Sequence, residues 1–179
     1  MHLNKLDVHG LRNLRDIQLS FSPGANLFYG TNGSGKTSLL EAIHLLGRGR
    51  SFRTRTLNPV INQDEDSCTV FGLLENENRN IPIGVSRSRQ GDFQFKVNGE
   101  CINSASSLAE AMPLLVLNSE SFNLLDGGPQ HRRQYVDWGV FHVEHKYRKI
   151  WQSFRRALKQ RNSLLRHDRI DSAQIDVWD

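Results

Sequence analysis

Eight consecutive residues, Gly30-Thr31-Asn32-Gly33-Ser34-Gly35-Lys36-Thr37, carry glycine, lysine and threonine at the spacing G-x-x-x-x-G-K-[ST]. That spacing has a chemical meaning. Gly33 and Gly35 lack a Cβ, so the backbone can bend tightly and bring its N–H groups within reach of phosphate oxygens. A helix beginning at Lys36 adds the positive end of its dipole. Lys36 would reach the β- and γ-phosphates of ATP, Thr37 would offer its hydroxyl to Mg²⁺, and Ser38 follows in the same first turn. The plainer alternative is a glycine-rich turn between strand and helix that holds no ligand.

The elements needed to position this loop are legible on both sides of it. Residues 25–29 read as a short buried strand, and residues 37–46 as a helix ended by Gly47. Upstream, residues 2–8 have strand character with Leu3 and Leu6 as inward positions. Residues 15–21 alternate Ile17, Leu19 and Phe21 with polar neighbours, so one face is buried and the other wet. Arg12 and Asn13 are thereby delivered on a loop between two strands, and Ser22-Pro23-Gly24 closes the next turn.

After the helix, residues 47–56 place Arg48, Arg50, Arg53 and Arg55 around Phe52. Such a segment is either a solvated loop or one whose arginines meet phosphates, from a nucleotide or from a nucleic-acid backbone. Residues 68–103 read as strands throughout, with Asn98-Gly99 as a hairpin turn and Pro82 expected at a sheet edge or bulge. A short helix follows, with Ser104 as a candidate cap. Residues 113–117 form a continuous apolar run expected as a central strand. Residues 119–125 read as a short helix, and Pro129 suits the first position of another.

The last third is basic. Eleven Lys or Arg lie between His131 and Arg169, against Asp137, Glu144 and Asp168. In a helix from about 144 to 167, Tyr147, Ile150, Trp151, Phe154, Leu158 and Leu165 would pack inward, with Arg148, Arg155, Lys159 and Arg166 on another face. Arg156 adjoins that stripe. It is either an ordinary solvated face or one that meets nucleic acid.

The chain has 179 residues, a net charge of +4 and 37% hydrophobic residues. That composition suits a globular domain, and charge alone does not establish nucleic-acid binding. No apolar run approaches the ~20 residues that cross a bilayer and no signal peptide opens the chain, so a cytoplasmic location is the expectation. Cys68 and Cys101 lack metal-ligand spacing and read as inert core thiols. No convincing catalytic base emerges: the run at 114–117 ends in Asn118 rather than Asp, with Glu120 two residues on. Leu125-Asp126-Gly127-Gly128 mimics an ABC-type signature, but Asp126 would repel phosphate and reads instead as a helix cap. A complete small P-loop kinase using Glu120 or Asp126, and a nucleotide-independent binding module, are the alternatives to an ATP-binding lobe.

Taken as an ordered set, Leu11-Arg12-Asn13, the loop 30–37, Gly47 to Arg53, Met112-Pro113, the Gly-Gly-Pro stretch with Arg132, Arg133 and Asp137, and Leu158-Lys159-Gln160-Arg161-Asn162 resemble the RecF family of bacterial recombination proteins, relatives of SMC-type and ABC-type ATPases. The resemblance implies an α/β P-loop NTPase head: an ATP-binding lobe over 1–118 with an antiparallel β-layer at about 66–103, then the start of a helical lobe over 119–179. It further implies ATP-dependent DNA binding in recombinational gap repair and the SOS response, at single-strand to double-strand junctions or on single strands. RecR and RecO are the implied partners, and an ATP-dependent homodimer the implied assembly. Arg12 and Asn13 become nucleotide-side contacts, and Asn118 falls where many relatives carry a Mg²⁺-sensing Gln. Family members run to roughly twice this length. The chain is therefore expected to be an N-terminal portion, without the signature and second acidic strand, that binds ATP and hydrolyses it poorly.

Overall fold

Period-two burial builds the sheet. Leu6 and Val8 on one strand, Cys68, Val70, Gly72 and Leu74 on another, and Ile83, Val85 and Arg87 on a third are all buried, and each set points to one face. The computed structural model describes residues 1–54, 56, 58–76, 79–144 and 146–165. Six strands, β1 (His2–Leu11), β2 (Leu14–Ser20), β3 (Ser67–Asn76), β4 (Arg79–Ser88), β5 (Phe93–Val97) and β6 (Glu100–Ile102), form one sheet in the order β2-β1-β3-β4-β5-β6. Every pairing is antiparallel. Asn98 and Gly99 both have positive φ, 55° and 82°, as the tight β5–β6 hairpin requires.

Helix α1 (Lys36–Arg48) buries Leu39, Ala42, Leu45 and Leu46 against this face, joined by Leu108 of α2 (Ala105–Ala111). The approach is close at Gly72, where a Cβ would come 2.3 Å from Leu46 Cδ2. Each fully buried leucine contributes about 2 kcal/mol of apolar transfer, so the helix carrying the lysine of the loop is fixed by its own apolar stripe.

The chain forms two compact units, Met1–Val116 and Leu117–Asp179. In the second, a 3-10 turn (Ser119–Phe122) leads into α3 (Asn123–Asp126), α4 (Pro129–Val143) and α5 (Tyr147–Leu164). Pro129 opens α4 as expected, after Gly128 at the N-cap. Tyr147 donates to Asp137 Oδ1 at 2.6 Å, which ties α5 to α4.

Several expectations are corrected. Residues 25–29 and 113–117 are not strands. Phe28, Leu114 and Val116 are half-buried and alternate with exposed Leu27, Tyr29, Leu115 and Leu117, so the alternation of a strand is present. A strand is defined by its ladder, and neither segment finds a pairing partner among the described residues. Pro82 sits in the interior strand β4, opposite Leu73, rather than at an edge. Its carbonyl accepts from Asn98 N at 2.9 Å, so its donor side also faces β5, where the ladder has already ended at Ile83–Val97.

Cys68 is buried, and burial pushes its thiol up to about 11, whereas Cys101 is exposed on the short β6. Asp126 ends α3 instead of capping α4. The long basic helix begins at Tyr147, and Ile150, Trp151, Phe154 and Leu165 are exposed rather than packed inward, since no described residue covers them. Arg55, Arg166, Arg169 and the end of the expected helical lobe, residues 166–179, lie outside the described residues.

Candidate nucleotide site

The loop before α1 has the backbone its glycines suggest. Gly33 and Gly35 have φ of 83° and 97°, and a Cβ on Gly35 would lie 2.8 Å from Leu14 Cδ2. Gly35 is the N-cap of α1; no side chain caps that end, and the first turn holds no acidic residue. The leading amides of the helix are thus left to an anion. Lys36 Nζ donates to the carbonyls of Gly30 and Thr31, each at 2.8 Å, so the ammonium closes over its own loop.

The Arg12–Asn13 turn is pinned to this loop from several directions. Asn13 Nδ2 donates to Gly33 O at 2.9 Å, and Ser38 Oγ donates to Asn13 Oδ1 at 2.8 Å. One side chain therefore braces both ends of the bend. Arg12 has φ 55°, uncommon for a residue with a side chain. The surroundings hold it there: Arg12 N donates to Val60 O at 2.9 Å, and Asn62 Nδ2 donates to Arg12 O at 2.6 Å. Its guanidinium makes a two-pronged pair with Glu41, Nη2 at 2.8 Å from Oε1 and Nε at 2.9 Å from Oε2.

Glu41 is completely buried on α1. Ser51 Oγ donates to its Oε1, and Arg53 Nη1 lies 3.6 Å from its Oε2. Burial alone would push this carboxyl up, but the hydrogen bonds from Arg12 and Ser51 and the charges of Arg12 and Arg53 prevail and hold it below its ordinary value. Ser51 Oγ in turn accepts from the amides of Arg53 and Thr54 at 2.9 and 3.2 Å. His44, edge-on to Phe52, bonds Arg50 O through Nδ1 at 2.7 Å and is kept toward its neutral form chiefly by burial.

The loop and the Arg12–Asn13 turn border an open cavity of about 760 Å³. Its wall comprises Arg12, Asn13, Asn32, Gly33, Gly35, Lys36, Thr37, Ser38 and Arg53, and on the far side Pro59, Ile61, Asn62, Gln63 and Asp64. That size suits a nucleotide. No group of three or more His, Cys, Asp or Glu side chains able to hold a metal occurs among the described residues. Thr37 supplies a single exposed hydroxyl, which fits a Mg²⁺ ion completed by phosphate oxygens and water rather than a protein-only metal cage.

The other arginines of the loop go elsewhere. Arg48 is half-buried with Nη2 3.3 Å from Leu114 O, and Arg50 is exposed. In the second unit Arg155 lies over the Trp151 ring at 5.3 Å, and Arg156 and Lys159 are exposed. Arg148 belongs to the same helix. Asn118 spends its Oδ1 on Glu120 N, capping the 3-10 turn. Sequence reasoning missed Glu41, Asn62 and the Pro59–Asp64 wall. Only Glu41 carried a signal: a charge inside the buried stripe of a helix demands a partner.

Comparison with known proteins places these features in context. Residues 2–130 match the family described as the RecF/RecN/SMC N-terminal domain. The chain is 51% identical over 179 residues to the DNA replication and repair protein RecF of Stutzerimonas stutzeri (strain A1501), covering 99% of this chain and 48% of the relative. It is 52% identical to the corresponding protein of Pseudomonas syringae pv. tomato (strain ATCC BAA-871 / DC3000), covering 100% and 49%. The chain thus spans about half the length of the relatives it matches. A solved structure of the recombination mediator protein RecF with ATPrS in the RecFOR pathway superposes with a TM-score of 0.85 at 30% identity, over 99% of this chain and 49% of the other. An Smc head bound to the C-winged helix domain of ScpA shares the fold at 20% identity and a TM-score of 0.64, over 92% and 60%.

Proposed function

The chain belongs to the RecF/RecN/SMC N-terminal domain family, and from that premise we propose that it is the nucleotide-binding portion of a DNA replication and repair ATPase. The observation that carries the proposal is the convergence of a glycine-bent loop, an uncapped helix start, Lys36 and two arginines from separate loops on one cavity. ATP is the ligand: the loop amides and Lys36 bind the phosphates, Thr37 orients Mg²⁺, and Arg12 and Asn13 hold the loop in shape. Bound Mg²⁺ supplies charge neutralisation at the phosphates. Lys36 spends two of its three N–H groups on the carbonyls of Gly30 and Thr31, which leaves one for a phosphate oxygen.

Asp64 is the single carboxylate among the described residues of the cavity wall, and it is paired with Arg15 at 2.8 Å. Among the described residues of the wall no free base stands ready to activate water, and we propose that this portion binds ATP and hydrolyses it poorly. The segments 25–29 and 113–117, largely exposed and outside any strand ladder, fit a lobe whose central strands are completed by further chain, as the relatives' greater length allows. The biological setting proposed is recombinational gap repair and the SOS response in the cytoplasm, with an ATP-dependent homodimer acting on junction or single-stranded DNA alongside RecR and RecO. On α5, Arg148, Arg155, Arg156 and Lys159 are proposed to contact DNA, and in the sheet unit, separately, the exposed Arg50. Among the described residues no helix is long and apolar enough to cross a membrane.

The test is ATP titration with Mg²⁺ against Lys36→Ala. Losing one charge-assisted contact of about 2–3 kcal/mol should weaken binding ~30- to 150-fold. Equal affinity in the two proteins would refute the nucleotide reading. DNA affinity that is insensitive to salt, or unchanged when Arg155, Arg156 and Lys159 are neutralised, would refute the DNA-facing set.

A further inference from the structure

We propose that Glu41 is a positioning residue for the nucleotide site: one buried carboxylate that holds two arginines, from two different loops, at the phosphate side of the cavity. The inference rests on the nucleotide reading above and extends it to a residue that does not itself line the cavity.

Three observations carry it. The first is the cost of the arrangement. A carboxylate with no exposed surface is expensive to desolvate, and an apolar residue at this point of the α1 stripe would stabilise the fold at least as well. The second is geometry. Arg12 spends Nε and Nη2 on Glu41, which leaves its two Nη1 N–H groups outside the pair. Arg53 reaches Glu41 only through Nη1, at 3.6 Å, and is half exposed. Both arginines border the cavity, and each is anchored at Glu41. The third is connectivity. Glu41 lies on the helix that begins with Lys36 and Thr37, one turn beyond Thr37. Arg12 comes from the β1–β2 turn, and Arg53 comes from the turn whose Ser51 hydroxyl also donates to Glu41. A single carboxylate thereby sets both arginines in register with the phosphate-binding residues of α1.

The charge count favours positioning over neutralisation. Two arginines against one carboxylate leave a net positive charge at the cavity edge, to which Lys36 adds another. Replacing Glu41 by Gln keeps the size but turns an NH₂ group toward an arginine donor, so donor faces donor and the arginines lose their anchor.

The experiment measures ATP and inorganic tripolyphosphate affinity for the wild-type chain, Glu41→Gln, and Arg12→Gln/Arg53→Gln with and without Glu41→Gln, with circular dichroism to confirm folding. Expected is a loss of about tenfold for both ligands in Glu41→Gln, and less than about twofold further loss when the arginines are already absent. That non-additivity is the readout a purely structural carboxylate would not give. Unchanged or tighter binding in Glu41→Gln overturns the proposal, because Glu41 then merely offsets arginine charge; so does full additivity. A wild-type chain that binds neither ligand overturns the nucleotide reading and this assignment together, which separates the two failures. Should Glu41→Gln not fold, Ser51→Ala decides: weaker ATP binding upholds the proposal, and unchanged binding overturns it.

Discussion

The sheet unit and the helical unit are built from similar proportions of apolar residue but use them differently. Among the described residues every buried hydrophobic side chain lies between Leu6 and Met112, and none from 113 to 165 is buried. In the sheet unit, alternating strands and the α1 stripe meet face to face, and α2 closes one end. In the helical unit, α5 leaves Ile150, Trp151 and Phe154 exposed, with Arg155 lying over the Trp151 ring. The lesson is that an amphipathic pattern states a demand for a partner, and among the described residues only the sheet unit meets it.

This contrast can be broken or sharpened by measurement. The largest effect should come from Leu46→Ala, which empties a fully buried site where α1 meets β3 and should cost about 3 kcal/mol in denaturant unfolding of the sheet unit. Gly72→Ala tests the same contact from the strand side; its Cβ has no room beside Leu46, and overpacking should cost about 1–3 kcal/mol.

Acid should act next, through Glu41. Because its folded value lies below the ordinary 4.5, its stabilisation is complete above that pH and is lost as pH falls through the folded value. The groups facing it are Arg12, Ser51, Arg53, His44 and Cys68. Unfolding midpoints measured between pH 7 and 3 should therefore fall more steeply for the wild type than for Glu41→Gln. The smallest effect should be that of Phe154→Ala, which removes an exposed side chain and should stay within about 0.5 kcal/mol. A loss above 2 kcal/mol there would show that the helical unit has a core of its own and would erase the contrast.

The sequence was most legible where information is local. The spacing around Lys36 located a glycine-bent loop leading into a helix, Asn98-Gly99 located a hairpin, Pro129 opened its helix, and strands fill much of the 68–103 stretch. It was least legible where an element depends on a distant neighbour. Residues 25–29 and 113–117 have strand composition, yet hydrogen-bond pairing is not a property of a segment. Pro82 read as an edge residue because the sequence does not reveal which side of β4 the ladder leaves early.

By itself, then, the sequence determined the loop that can bend around phosphate, the helix that follows it, and the ammonium and hydroxyl that helix presents. These depend on glycine torsions and on spacings within a few residues. The tertiary structure alone decided that Arg12 and Arg53, forty-one positions apart, share one carboxylate, and that Asn13 spans the bend from Gly33 to Ser38. Such contacts arise when a sheet brings separate loops against one helix, and a buried charge can persist only where that packing supplies its partners.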